Sequence, residues 1–300
     1  MNWLTGLLTN RNFIFLFALG LGLLFPQAAG LTKPLTLPAL TLVLTFSTMA
    51  ISNSILRSPR ELFLPAVAGI AMSYLLLGNF IIALSAAFIR EDNLWKGFVL
   101  MAAVPPAIAV IPFSAILKGN ARYALFGTVG AYLGGLILLP LIVIGLIGAR
   151  LINPFDLVNI VLQLVALPLL LSRLLIWKGW NLKLEPVKGT IINWLFFLIL
   201  YTATGLNQDI LMGLPGALLP VALIAFASTF LLGFLIKLIG RFFHVSADIL
   251  TSLVLLGTLK NYGIAGGLAL TFLSRESVLP ATMGTFFMIF YVMWLDFRKD

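Results

Sequence analysis

Cysteine is absent from this sequence, and histidine occurs once, as His244. The first absence excludes disulfides, thiolate nucleophiles, cysteine-ligated zinc and iron–sulfur clusters, and a single imidazole is too few for a histidine metal cluster. Walker and Rossmann glycine motifs are missing as well, and no plausible catalytic pair stands out. We therefore expect a protein that is not an enzyme, has no catalytic residues, and holds no metal or cofactor.

Charged residues are also scarce. They make up 10% of the chain, against about 25% in an ordinary soluble domain. Hydrophobic residues make up 61%, and the mean hydropathy is +1.11. This composition predicts an integral membrane protein with the lipid bilayer as its surroundings. The net charge of +9 lies in short loops between apolar runs, so it indicates membrane topology and not a nucleic-acid partner.

Charges and turn residues divide the chain into apolar runs of the length that a bilayer requires, roughly 20 residues. The first run is long enough to span and lacks a small-residue cleavage site, so we expect no cleaved signal peptide. The ten predicted spans are residues 12–30, 35–54, 63–88, 97–117, 122–149, 156–176, 190–207, 211–237, 247–272 and 278–296.

The distribution of Lys and Arg tests this segmentation. One side of the predicted spans collects 13 of the 19 basic residues, the other side has 5, and Lys260 lies inside a span. Because cytoplasmic loops are enriched in Lys and Arg, this predicts cytoplasmic termini in a bacterial plasma (inner) membrane. The first group is Arg11, Arg57, Arg60, Lys118, Arg122, Arg173, Lys178, Lys183, Lys188, Lys237, Arg241, Arg298 and Lys299, and the second is Lys33, Arg90, Lys96, Arg150 and Arg275.

Ten spans divide into two sets of five, residues 1–150 and 151–300. An odd number of spans per set makes the second set enter from the opposite face, which is the topology of an inverted repeat and typical of secondary transporters. Helix-breaking residues occur in the fourth span and in the ninth: Pro105, Pro106 and Pro112 in one, and Gly257, Asn261, Gly263, Gly266 and Gly267 in the other.

Unwound backbone at membrane depth is stable only where it lines a cavity or is buried in protein. We therefore expect an all-α membrane protein whose discontinuous fourth and ninth helices cross near the middle of the bilayer. For any single proline or glycine, helix packing is the simpler alternative.

One lysine, Lys260, lies within the ninth span. An ammonium group at this depth costs at least ~3 kcal/mol. Roughly a dozen residues separate it from either end of the span, about 18 Å of helix, which is beyond the reach of a snorkelling side chain. Lys260 should therefore face a cavity, a partner or a substrate. Structural pairing with the carbonyl groups of a broken helix is the alternative.

Polar and helix-breaking neighbours complete the predicted site. Hydroxyl and amide side chains here can donate to a substrate or to unwound backbone, although hydroxyls in spans often bond the preceding turn. The predicted substrate-binding or coupling residues are Lys260, Asn261, Thr258, Gly257, Pro105, Pro106, Ser114 and Thr128.

The same segments resemble the signature helices of the bile acid:sodium symporter family. The run Lys260-Asn261-Tyr262-Gly263-Ile264-Ala265 is similar to the family's ninth-helix pattern Gln-Asn-x-Gly-Leu-Ala. Pro105, Lys118-Gly119-Asn120, Ala124, Thr128 and Pro140 resemble the fourth and fifth helices in spacing. The resemblance implies a panel domain of helices 1, 2, 6 and 7, a core domain of helices 3–5 and 8–10, and a small organic anion as substrate.

The sequence departs from the sodium-coupled members at the residues that matter for sodium. A Ser-Asn pair is replaced by Val110 and Ile111, an acidic residue by Leu256, and the Gln by Lys260. Apolar side chains offer none of the oxygen ligands that such a cation needs. We therefore expect Lys260 to take the place of a coupling sodium ion.

Two coupling modes follow from this substitution. A permanently protonated Lys260 predicts sodium-independent uniport or exchange, and a lysine that releases its proton in each cycle predicts proton coupling. The alternatives are a sodium-coupled organic anion symporter, an auxin-efflux-type anion exporter, and a non-transporting membrane receptor or scaffold. Oligomeric state is not readable from the sequence.

Overall fold

The computed structural model describes residues 3–49, 59–107, 109–148, 167–213 and 215–298. These residues form helices joined by short turns, and no β-strand is present among them. The long apolar runs of the sequence explain this result, since a helix satisfies all of its backbone hydrogen bonds within one segment and needs no water.

The described residues of the first half of the chain form nine α-helices. After α1 (Trp3–Thr9) and α2 (Arg11–Leu24), short turns of 3-10 helix flank α3 (Ala29–Thr32). The remaining helices are α4 (Thr36–Thr48), α5 (Pro59–Ile70), α6 (Asn79–Phe88), α7 (Asp92–Ala103), α8 (Val110–Ile116) and α9 (Ala121–Ile147), and a π-helical stretch, Ala71–Gly78, joins α5 to α6.

The second half continues with α10 (Leu167–Trp177), α11 (Trp180–Leu206) and α12 (Gln208–Gly213). A second π-helical stretch, Ala227–Leu231, joins α13 (Pro215–Phe226) to α14 (Leu232–Phe242). The chain ends with α15 (Ala247–Leu256), α16 (Tyr262–Phe272) and α17 (Leu279–Phe297).

Among the described residues, six helical segments are long and apolar enough to cross a membrane, as expected of an integral membrane protein. They are Pro26–Phe46, Phe63–Phe88, Ala121–Ile147, Trp180–Leu206, Leu218–Phe242 and Glu276–Phe297. Shorter apolar helices cover Phe13–Leu24, Ala247–Leu256 and Tyr262–Phe272. Of the predicted span 156–176, only the part from 167 lies within the described residues, in α10.

Boundaries differ clearly from the sequence prediction at the first and seventh spans. The loop predicted at residues 31–34 is helical, because α2 ends at Leu24 and the apolar segment Pro26–Phe46 follows it. The span predicted at 190–207 begins at Trp180, so a charged stretch that reads as a loop is helical. Glu185 and Lys188 form an ion pair of 2.7 Å one helical turn apart. Charges at this spacing support a helix at its solvated end.

Close glycine contacts hold α5 against α9. A Cβ atom built on Gly69 would lie 2.0 Å from the carbonyl oxygen of Gly127, and one on Gly130 would lie 2.3 Å from the Cβ of Ala66. Small residues let helix backbones approach closely in a membrane, where packing and not hydrophobicity drives association. These contacts hold α9 beside the segment Phe63–Phe88, which contains most of α5, the π-helical stretch and α6.

The buried apolar side chains form two separate clusters. The larger one surrounds the interrupted helices and includes Phe98, Met101, Leu255 and Leu259. The smaller one joins α2 to α11 and α17, with Ile14, Phe15, Ala18, Leu19, Leu200 and Ile289. Helix α11 contributes to both clusters, since its Ile199 and Ala203 belong to the larger one.

Candidate functional site

The first helix interruption lies between Ala103 and Val110. Pro105 and Pro106 follow α7 directly, and proline has no backbone N–H to continue the helical ladder. The chain leaves the helix at Val104, whose φ of −71° and ψ of 154° are extended. Both prolines are buried.

The second interruption lies between Leu256 and Tyr262. Gly257 ends α15 with a φ of −93°, so the left-handed freedom of glycine is not used. Its role is to make room, since a Cβ atom there would lie 2.6 Å from Met72 and 2.7 Å from Ile236. The sequence correctly places a helix break at Gly257, and the structure gives close packing as this glycine's physical reason.

The two interruptions are joined by backbone hydrogen bonds. Ala107 donates its N–H to the Leu259 carbonyl at 2.9 Å, and Asn261 donates to the Pro105 carbonyl at 2.9 Å. Pro106 and Lys260 form an isolated antiparallel bridge between these two bonds. Backbone groups that leave the helical ladder at membrane depth need such partners, because lipid offers none.

The side chain of Lys260 reaches back into the first interruption. It is fully buried, with 0% exposure. Its Nζ atom donates to the carbonyl oxygens of Ala102 and Val104, each at 2.8 Å, and to Ser73 Oγ at 3.1 Å. Three acceptors match the three hydrogens of an ammonium group.

The proline pair explains why these carbonyl groups are available. In a continuous helix the Ala102 carbonyl would accept from the N–H of residue 106, four positions later. That residue is Pro106, which has no N–H. Lys260 supplies the missing hydrogen from the other interrupted helix, at the carboxyl end of α7, where the helix dipole favours a positive group.

The π-helical stretch between α5 and α6 completes the surroundings of Lys260. Its Nζ atom lies 4.5 Å from the centre of the Tyr74 ring, within cation–π distance. The Tyr74 hydroxyl in turn donates to the Ala131 carbonyl of α9 at 3.0 Å. Ser73 and Tyr74 belong to the π-helical stretch Ala71–Gly78, and π-helical turns often occur at functional sites.

Asn261 organises the start of α16. Its side-chain oxygen accepts from the Ile264 N–H at 3.1 Å, which is an N-cap, and its amide nitrogen donates to the Tyr132 hydroxyl at 2.9 Å. One side chain thus begins a helix and ties it to α9. This N-cap also satisfies a backbone donor at the helix N-terminus.

The remaining predicted site residues lie in different settings. Thr258 donates to the Val254 carbonyl of its own helix at 2.6 Å. Ser114 lies 2.9 Å from Ser252, linking α8 to α15. The Thr128 hydroxyl is buried, with no hydrogen-bond partner in the described part of the chain. The structure therefore brings Lys260, Asn261, Pro105 and Pro106 together. The hydroxyls of Thr258 and Ser114 instead bond to residues of α15.

A cavity of about 330 Å³ adjoins the crossing point. Its lining comes from α2, α11 and α17 on one side and from the interruptions on the other: Arg11, Phe15, Ala107, Ala109, Gly189, Ile192, Asn193, Phe196, Leu200, Lys260, Asn261, Tyr262, Gly263, Thr285 and Met288. The three Nζ partners of Lys260 do not line it. Its size is that of a small-molecule site.

Arg11 lines the cavity, although it was not among the site residues predicted from the sequence. In the sequence it counted only as one of the basic residues outside the predicted spans. Its guanidinium lies 4.1 Å from the ring centre of Phe113 and 5.3 Å from that of Phe15. Its Nε atom is buried and lacks a hydrogen-bond partner among the described residues. Its position at the start of an apolar helix was the available signal.

Metal ligation is not evident in the part of the chain that the structure describes, where no group of three or more His, Cys, Asp or Glu residues could hold a metal ion. No protein-family model matches the sequence, and no curated protein matches it either.

Proposed function

We propose that this protein is a secondary transporter that carries a small organic anion by alternating access, with Lys260 in place of a coupling sodium ion. The observation that carries the proposal is the lysine at the crossing. Lys260 belongs to one interrupted helix, and its Nζ atom donates hydrogen bonds to the carbonyl oxygens of Ala102 and Val104 in the other. Oxygen atoms of unwound backbone are the kind of ligand by which transporters hold coupling cations.

Several features of the fold support an inverted repeat of ten spans, residues 1–150 and 151–300. A π-helical stretch interrupts the third predicted span at Ala71–Gly78 and the eighth at Ala227–Leu231, and a non-helical break interrupts the fourth and the ninth. The same kinds of irregularity thus recur five predicted spans apart. The resemblance to the bile acid:sodium symporter family is consistent with this arrangement.

The cavity supports a division into core and panel domains, because α2 and α11 line one part of it and α17 and the two interruptions line the rest. The smaller hydrophobic cluster joins α2 and α11 to α17, and the larger one encloses both interruptions but also contains Leu40 of α4 and Ile199 of α11. The cavity thus lies between two groups of helices that remain in contact. Rocking of one group against the other would expose it alternately to the two sides of a bacterial plasma membrane, in which we place both termini in the cytoplasm.

The lysine site is compatible with both proposed coupling modes. The Ala102 and Val104 carbonyls require two hydrogens from Nζ, whereas the Ser73 hydroxyl is able to accept or to donate. An ammonium and a neutral amine would therefore both be fully bonded here. In uniport or exchange Lys260 would remain an ammonium throughout the cycle. In proton coupling it would alternate between the ammonium and the neutral amine.

Uptake into proteoliposomes tests this proposal. Radiolabelled organic carboxylates and sulfonates are offered in sodium or choline buffer, with and without a proton gradient, to the protein, Lys260→Gln and the exposed control Lys183→Gln. We expect sodium-independent uptake that is lost in Lys260→Gln and kept in the control. Sodium-dependent uptake by the unmodified protein, or unchanged uptake in Lys260→Gln, would refute the proposed role of Lys260.

A further inference from the structure

We infer that Arg11, and not Lys260, is the residue that recognises the charged group of the ligand, and that the cavity takes an amphipathic organic monoanion. This inference rests on the proposed function for its transport meaning. The binding site itself is argued from contacts and can be tested without transport.

The hydrogens of Lys260 are already bonded within the protein. Its Nζ atom already contacts Ser73, Ala102 and Val104, and none of these three lines the cavity. A lysine amino group has at most three hydrogens to donate. The side chain is also fully buried. A ligand in the cavity therefore finds no free hydrogen on Lys260 unless the crossing itself is taken apart.

Arg11 lines the cavity and has a donor to offer. Its Nε atom is buried without a hydrogen-bond partner among the described residues. A buried donor left unpaired is unfavourable because it has lost its hydrogen bonds to water, and a bound acceptor would remove that cost. The aromatic faces of Phe15 and Phe113 hold the guanidinium plane but supply no hydrogen-bond acceptor of ordinary strength.

The chemistry of the lining indicates the ligand class. Apolar and aromatic side chains such as Phe15, Phe196 and Met288 form most of the wall, and none of the residues that line the cavity is acidic. A planar guanidinium binds carboxylate, sulfonate or phosphate oxygens through paired hydrogen bonds. Because the hydrogens of Lys260 are already bonded, Arg11 is, among the described residues, the basic lining residue with a free donor, and one such donor group beside an apolar wall suits a single anionic group on an apolar body.

Isothermal titration calorimetry in a non-ionic detergent tests this site. The probes are 2-naphthoate, naphthalene-2-sulfonate and the uncharged analogue 2-naphthamide. We expect the unmodified protein to prefer the two anions to the amide. In Arg11→Gln, anion binding should weaken by about tenfold to a hundredfold while amide binding is unchanged. Arg11→Lys should retain part of the preference, because it keeps the charge and loses the fork.

Arg122→Gln is the matched control, since Arg122 also lies over an aromatic ring, 5.5 Å from Phe126, yet does not line the cavity. It should bind all three probes as the unmodified protein does. Three results would overturn the inference: no anion preference in the unmodified protein, full preference in Arg11→Gln, or equal loss of anion and amide binding in Arg11→Gln and Arg11→Lys. Anion binding without uptake would instead overturn the transport proposal and leave the site standing.

Discussion

The Nζ atom of Lys260 donates a 2.8 Å hydrogen bond to the carbonyl oxygen of Val104, a residue 156 positions earlier in the chain. Each of the two residues lies where a helix is interrupted, and each interruption supplies what the other lacks. Pro105 and Pro106 remove backbone donors from one segment, and Lys260 brings hydrogens from the other. The lysine and the proline pair are therefore best understood as one structural unit.

Asn261 and Tyr132 should be energetically coupled. Asn261→Ala removes an N-cap and the 2.9 Å bond to Tyr132, so we expect a loss of about 1–3 kcal/mol in unfolding free energy. Tyr132→Phe should cost about 1 kcal/mol. The double variant should lose less than the sum, because both changes remove the same bond. Unfolding in detergent measures all three, and strict additivity would contradict the bond.

Gly69→Ala should disrupt the packing of α5 on α9. Its new Cβ atom would lie 2.0 Å from the Gly127 carbonyl oxygen, which belongs to rigid backbone. We expect a loss of about 1–3 kcal/mol or more. Gly145→Ala is the matched control in α9, because nothing lies within 4 Å of its added Cβ atom. Melting temperatures of the two variants should differ clearly, and equal values would argue against the close contact.

Thr128→Val tests whether a predicted site residue acts through its hydroxyl. That hydroxyl is buried without a hydrogen-bond partner among the described residues, so its removal should leave stability unchanged or raise it by about 1 kcal/mol. Thermal unfolding gives the answer. A loss of more than about 1 kcal/mol would show that the hydroxyl has an essential partner.

The absence of cysteine makes the topology directly testable. Arg90→Cys and Lys183→Cys place single thiols at exposed positions that three predicted spans separate. In intact cells a membrane-impermeant maleimide should label Arg90→Cys, whereas Lys183→Cys should react only after permeabilisation. Labelling of both from the same side would contradict the ten-span arrangement with cytoplasmic termini.

The sequence predicts the crossing well, because its signals are local. Proline cannot continue a helical ladder, so Pro105 and Pro106 indicate the first interruption without any structure, as Gly257 and Asn261 indicate the second. The other predicted helix breakers of the ninth span, Gly263, Gly266 and Gly267, lie inside α16. Asn261 is equally readable as a polar residue at a helix start.

The partners of these residues are not readable in the same way. Ser73 contacts Lys260 from 187 positions away in the sequence, and it lies in the π-helical stretch Ala71–Gly78. Ser114 was predicted as a site residue, yet its Oγ atom lies 2.9 Å from the Oγ atom of Ser252, where α8 contacts α15. Arg11 looked like a loop charge, although it lines the cavity. Each of these depends on the tertiary packing of distant helices.

The most direct test of Lys260 as the resident cation is the melting temperature in sodium and in choline at constant ionic strength. The unmodified protein should melt at the same temperature in both. Lys260→Gln should melt lower, since it leaves the Ala102 and Val104 carbonyls short of donors, and should regain stability in sodium. A sodium-dependent rise in the melting temperature of the unmodified protein, or a Lys260→Gln variant as stable as the parent, would contradict the account.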